Sequence, residues 1–242
     1  MAINPAFDRR AFERKLFLLI AAASAFITFL GFARTYYLLP VLGGNPLRMV
    51  THAHGIVMSA WVLLFALQVY LIRSKNIKLH MKLGWLGVAL AAAITVIGTL
   101  TGLMAAKYGT PSAPPEIPPL SFLIVPLGDI LLFAGFFALA VYWRKRPAEH
   151  KRMMLLNAFN LLPPAVARIP GAPMQELGPI WFFGVPDLLL IAVIIYDRWR
   201  TGTFNKALLI GAIVLIGSHP FRLWFSGTET WLAFAGWAVS FV

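Results

Sequence analysis

Cysteine is absent from the 242 residues, and only 9 of them are Asp or Glu. The first absence excludes disulfides, cysteine-held iron–sulfur clusters and thiolate metal sites, and it leaves the redox compartment open. The second leaves 21 Lys and Arg unbalanced, a formal charge of +12, although charged residues make up only 12% of the chain. Hydrocarbon-spanning segments exclude acids in this way, so the positive balance reads as membrane topology, with no nucleic acid among the expected partners. Other signatures are missing too. There is no HExxH and no Gly-rich phosphate loop, and the last long apolar run holds no lysine for a retinal Schiff base, Lys206 standing at its mouth. Ser59 and Ser121 have no evident base beside them.

Apolar residues dominate what remains, at 60% of the chain with a mean hydropathy of +0.77. No ordinary soluble domain of this length has that composition. A helix needs about 20 apolar residues to cross the hydrocarbon, whereas barrels show short alternating segments. The pattern predicts an all-α seven-transmembrane helix bundle forming a single integral membrane domain over 1–242, with spans near 16–39, 50–72, 83–106, 120–143, 153–170, 178–197 and 206–225. The run from Leu16 is longer than a signal-peptide core, so the first span is expected to stay in the protein.

Of the 21 basic residues, 16 fall in four regions that alternate along the chain. These are Arg9 to Lys15, Arg73 to Lys82, Arg144 to Arg152 and Arg198 to Lys206. Basic loops stay on the cytoplasmic side, which places the N-terminus inside and, after seven crossings, the C-terminus outside. The proline-rich connection from Tyr108 to Pro119 is expected to be a stiff external strap. Thr228 is positioned to cap a short amphipathic helix over 229–242, rich in Trp231, Phe234, Trp237 and Phe241 and suited to the interface.

Ionisable groups inside spans are costly and point to function. With this topology Arg34, His52, His54, Asp129, Asn160, Arg168, Asp187, His219 and Arg222 all lie at mid-depth or nearer the outside, which suggests an outward-facing polar pocket. Span three offers only threonines and is expected to be peripheral. On span two, His54, Met58, Trp61, Phe65 and Gln68 follow helical steps and form an inward stripe, with His52 pointing elsewhere. His219 and Arg222 share a face beside Pro220, and Pro163-Pro164 should break span five. A purely structural arrangement would have Arg34 or Arg168 pairing with Asp129 and Asp187 to register the helices.

Histidines without cysteine suit haem b or a divalent metal. Two haem pairs are conceivable, His80 with His150 near the inner face and His54 with His219 near the outer one. The metal alternative takes His54 and His219 with Asp129 and Asp187 as an N and O set, and Arg34, Gln68, Asn160, Arg168 and Arg222 as pocket or charge-pairing residues.

The stretches "THAHGIVMSAWVLLFALQVYLIRSKNIKLHMKLGWLG", "HKRMMLLNAFNLLPPAVAR", "DLLLIAVIIYDRWRTG" and "HPFRLWFSGTETWLAFAGW" resemble a set of uncharacterised bacterial seven-span membrane proteins. The resemblance implies a multi-pass protein of the bacterial inner membrane and carries no activity. His80 and His150 give a weaker likeness to di-haem cytochromes b and ferric reductase-like membrane proteins, from which span four departs by having Asp129 and no histidine. The expected role is redox work with haem b or a metal, with Arg34 and Arg168 stabilising propionates or substrate anions and quinone as a partner. Alternatives are small-solute or proton transport, or an accessory subunit bound to other membrane subunits.

Overall fold

A computed structural model describes residues 9–110, 117–171 and 176–242. Within them every regular element is helical. They run α1 (Arg9–Phe32), continued by a π-helical turn (Ala33–Tyr37), α2 (Met49–Arg73), α3 (Ile77–Tyr108), α4 (Pro119–Phe122), α5 (Ile124–Tyr142), α6 (Pro147–Asn160), α7 (Pro163–Val166), α8 (Pro179–Thr201), α9 (Lys206–Phe225) and α10 (Glu229–Val239). Six helical stretches are long and apolar enough to cross a membrane: Ala11–Tyr37, Met49–Arg73, Ile77–Tyr108, Pro119–Tyr142, Pro179–Thr201 and Lys206–Phe225. The chain is therefore a multi-pass membrane protein by length and composition of its helices.

The stretch expected as a fifth span, 153–170, is not one continuous helix. α6 ends at Asn160 and the short α7 begins at Pro163. Pro163 and Pro164 bring no N–H, and a proline ring inside a helix meets the carbonyl four residues back, so the break falls where the two prolines stand. α6 is also the least lipid-like segment. Its buried residues include Arg152, Asn157 and Asn160 beside Met153, Leu155, Leu156 and Phe159. It packs mainly on α5 and α9, with α1 and α8 closing the remaining sides.

Small residues allow the close approaches this wrapping needs. A Cβ on Gly31 of α1 would stand 2.1 Å from the Ala165 carbonyl oxygen of α7. On α3 the buried stripe is Gly87, Ala91, Ile94, Gly98 and Gly102, facing α2 and α5. Its Thr95, Thr99 and Thr101 return their hydroxyls to carbonyls one turn back in the same helix. The stripe on α2 faces inward at Trp61, which is buried edge-on against Phe133 and Phe137 of α5. His52 is exposed beside the Tyr36 ring.

Caps fix several boundaries. Asn76 accepts from the Leu79 amide, Asn205 from Leu208 and Thr228 from Trp231, each satisfying a first-turn N–H. The last of these opens α10, which is shorter than the expected 229–242 and folds back onto α3 and α4. There Trp231 Nε1 donates to the Leu120 carbonyl at 2.9 Å, and Trp237 remains exposed. Half of the expected proline strap, residues 111–116, lies outside the described residues.

Gly31→Ala should push α1 off α7 and cost about 1–3 kcal/mol, as overpacking a tight contact does. Gly135→Ala, where a Cβ meets nothing within 4 Å, should leave stability unchanged or slightly raised. Thermal or denaturant unfolding of the two variants in one detergent compares them directly.

Candidate functional site

Polar side chains inside the bundle gather at its two ends. The helices run alternately up and down, so the starts of α1, α3 and α6 share one end with the close of α2, α5 and α8. The Lys and Arg clusters lie at this basic end. The other end collects the close of α1, α6 and α9 with the starts of α2, α5 and α8.

At the basic end, His80 of α3 and His150 of α6 face each other, with ring centroids 6.3 Å apart and planes at 87°. His150 Nδ1 donates to the Ala140 carbonyl at 2.8 Å, because a carbonyl can only accept; this leaves Nε2 as the bare nitrogen. Gln68 Nε2 donates to the His80 backbone carbonyl at 3.2 Å. His80 Nδ1 and Gln68 Oε1 are both buried without a partner. Gln68 therefore belongs with the histidine pair at this end, and not with the polar pocket to which the sequence assigned it.

A second cluster at the same end was not anticipated. Arg152 is 2% exposed, and its Nη2 donates to Asp197 Oδ2 at 2.9 Å and to Glu13 Oε1 at 3.4 Å. Lys151 also pairs with Glu13, and Thr201 bonds the Asp197 carbonyl. The two cations and two carboxylates cancel, as buried charges must. Arg152 had been read only as a topology-setting cation. The signal that could have found this cluster is an acid, Asp197, inside the otherwise basic end of α8.

At the opposite end, Arg222 of α9 lies buried with Nη1 on Asp129 Oδ1 at 2.6 Å and on the Val125 carbonyl at 2.9 Å. Its Nη2 reaches Ser218 Oγ at 3.2 Å. Gly128 is required here, since a Cβ would stand 2.4 Å from Arg222 Cδ. Asn160 Nδ2 donates to the Asp129 backbone carbonyl at 2.8 Å, and its Oδ1 is buried without a partner. One turn before Arg222, His219 Nδ1 meets Asp187 Oδ2 at 2.9 Å. The His219 ring stacks on Phe183 at 4.1 Å and 12°, and Phe183 also lies under the Arg222 guanidinium. His219 Nε2 is buried with no partner.

The helix-registering pairs are thus Arg222 with Asp129 and His219 with Asp187. Neither Arg34 nor Arg168 takes part. Arg34 is exposed in the π-helical turn. Arg168 donates to the Pro164 carbonyl at 2.5 Å and lies over the Phe32 ring at 4.7 Å. Both are at the end away from His80 and His150, so neither can serve propionates held there. His54 faces α3, its Cε1 3.7 Å from where a Gly98 Cβ would be. No ring contact joins it to His219 among the described residues.

Among the described residues no three His, Asp or Glu side chains form a group able to hold a metal ion. The set of His54, Asp129, Asp187 and His219 is divided: Asp129 is bound to Arg222, Asp187 to His219, and His54 of α2 faces Gly98 of α3. What the far end does hold is three buried side-chain atoms without partners among the described residues, His54 Nδ1, His219 Nε2 and Asn160 Oδ1.

Arg222→Leu or Asp129→Leu alone should cost about 3–5 kcal/mol, because each leaves an uncompensated charge in an apolar core. The double variant should cost clearly less than the sum, and a double-mutant cycle by equilibrium unfolding in detergent measures the difference. Comparison with family models, with curated proteins and with solved structures finds no match, so the functional reading rests on the geometry of these clusters.

Proposed function

We propose that the chain is a seven-span redox protein of the bacterial inner membrane that holds a haem b between His80 and His150. α6 and α7 form the additional crossing in this reading, a broken helix that never faces lipid alone. The alternating basic loops support a cytoplasmic N-terminus and an inner position for the histidine pair.

The carrying observation is the facing of the two rings. Two imidazoles that held one iron between them through bonds of about 2 Å would have ring centres roughly 6 Å apart. The rings of His80 and His150 are 6.3 Å apart, on helices that start at the same depth. The surrounding groups suit ligation. A backbone carbonyl holds His150 Nδ1, the usual way a protein orients a ligating imidazole and frees Nε2. Gln68 Oε1, bare and next to His80, offers the same service to His80 Nδ1. Lys78, Lys82 and Arg146 are exposed beside the two histidines and suit the carboxylates of a propionate-bearing ring. A bound haem would supply one-electron transfer, at a potential set by its axial ligands and burial.

Absorption spectra of the purified protein, oxidised and dithionite-reduced, test the reading. Sharp reduced bands are expected in the wild type and in His52→Ala, and their loss in His80→Ala and His150→Ala. A colourless wild type, or bands that survive both substitutions, would remove it.

A further inference from the structure

We infer that His219, backed by Asp187, is a proton-binding site reached from the end of the bundle opposite the basic loops. The inference stands on the far cluster alone and does not need haem. Asp187 accepts the Nδ1 hydrogen bond at 2.9 Å, so the neutral ring is the Nδ1–H tautomer and Nε2 carries a lone pair. That lone pair is buried and meets no donor. Leaving such an acceptor bare is unfavourable, because its desolvation is not offset. A water or hydronium delivered to Nε2 removes the cost, and Asp187 stands ready as counter-ion.

The charges around the ring favour the added proton. From α9 itself comes Arg222, from α5 Asp129, from α8 Asp187, and from α6 only the neutral Asn160. Arg222 and Asp129 cancel in their 2.6 Å pair, which leaves Asp187 alone against a neutral imidazole. Arg168, beyond α7, is turned to Phe32 and to its own helix. A proton on Nε2 brings the cluster to neutrality, the state an apolar interior demands. The Asp187 side chain is 15% exposed against 4% for His219, so the carboxylate is the more accessible member of the pair.

Nitrogen-15 spectra of histidine-labelled protein in detergent test the site, with His219→Gln identifying the signal. The ring should pass from the Nδ1–H tautomer to imidazolium as protons are added. Asp187→Asn keeps an acceptor but removes the counter-ion, and should weaken proton affinity at least about tenfold. A His219 signal that stays in one form throughout the titration, or that ignores Asp187→Asn, would overturn the inference and leave a histidine satisfied by fixed water.

Discussion

Hydrocarbon offers no hydrogen bonds, and this chain breaks a helix inside it. Between Asn160 and Pro163 the α-helical ladder stops, so the carbonyls around the break must be met by protein. Past the break, at the end of α7, Trp181 Nε1 of α8 donates to the Val166 carbonyl at 3.0 Å and Arg168 to that of Pro164. The broken segment can exist only at the centre, with α5 and α9 on it and α1 and α8 around it. Gly31 follows from the same demand, because α1 must approach the Ala165 carbonyl too closely for any side chain. Arg168 donates to a carbonyl of α7 and lies over Phe32, a structural task that leaves its positive charge in place.

Wrapping a polar helix in apolar ones also decides where charge can sit. Each buried cation has its carboxylate: Arg152 has Asp197 and Glu13, and Arg222 has Asp129. Such pairs contribute little net stability, since desolvation offsets their attraction, but losing one partner is expensive. They therefore act as registers that hold α9 on α5 at one end and α8 on α6 at the other. Buried leucines and phenylalanines fill much of the space between the two ends.

The long spans and the basic end were legible in sequence because both follow from solvent: apolar length matches the bilayer, and loop cations follow insertion. Even the broken fifth segment was visible, since proline acts locally. Partner choice was not. Arg34, Arg168 and Arg222 look alike in a sequence of spans, and only the rotation of α9 and the space over Gly128 select Arg222 for Asp129. Gln68 shares a helical stripe with His54, yet a stripe on α2 runs from one end of the bundle to the other, so sharing it says nothing about sharing a site. His80 and His150 were paired by their equivalent positions at helix starts, and that symmetry survives folding because both follow short basic turns.

Two ends so separated still feel each other through the field. Along α5, Asp129 and the carbonyl of Ala140 that holds His150 are about 16 Å apart at 1.5 Å per residue. A unit charge added at one end shifts a charge at the other by about 1 kcal/mol for an effective dielectric constant near 20, roughly a fivefold change in an equilibrium. That influence needs no moving part and no water wire, and it is necessarily reciprocal. It is also small enough that each cluster keeps its own chemistry: the histidine pair is governed by what Ala140 and Gln68 do to its rings, and His219 by Asp187 at hydrogen-bond distance.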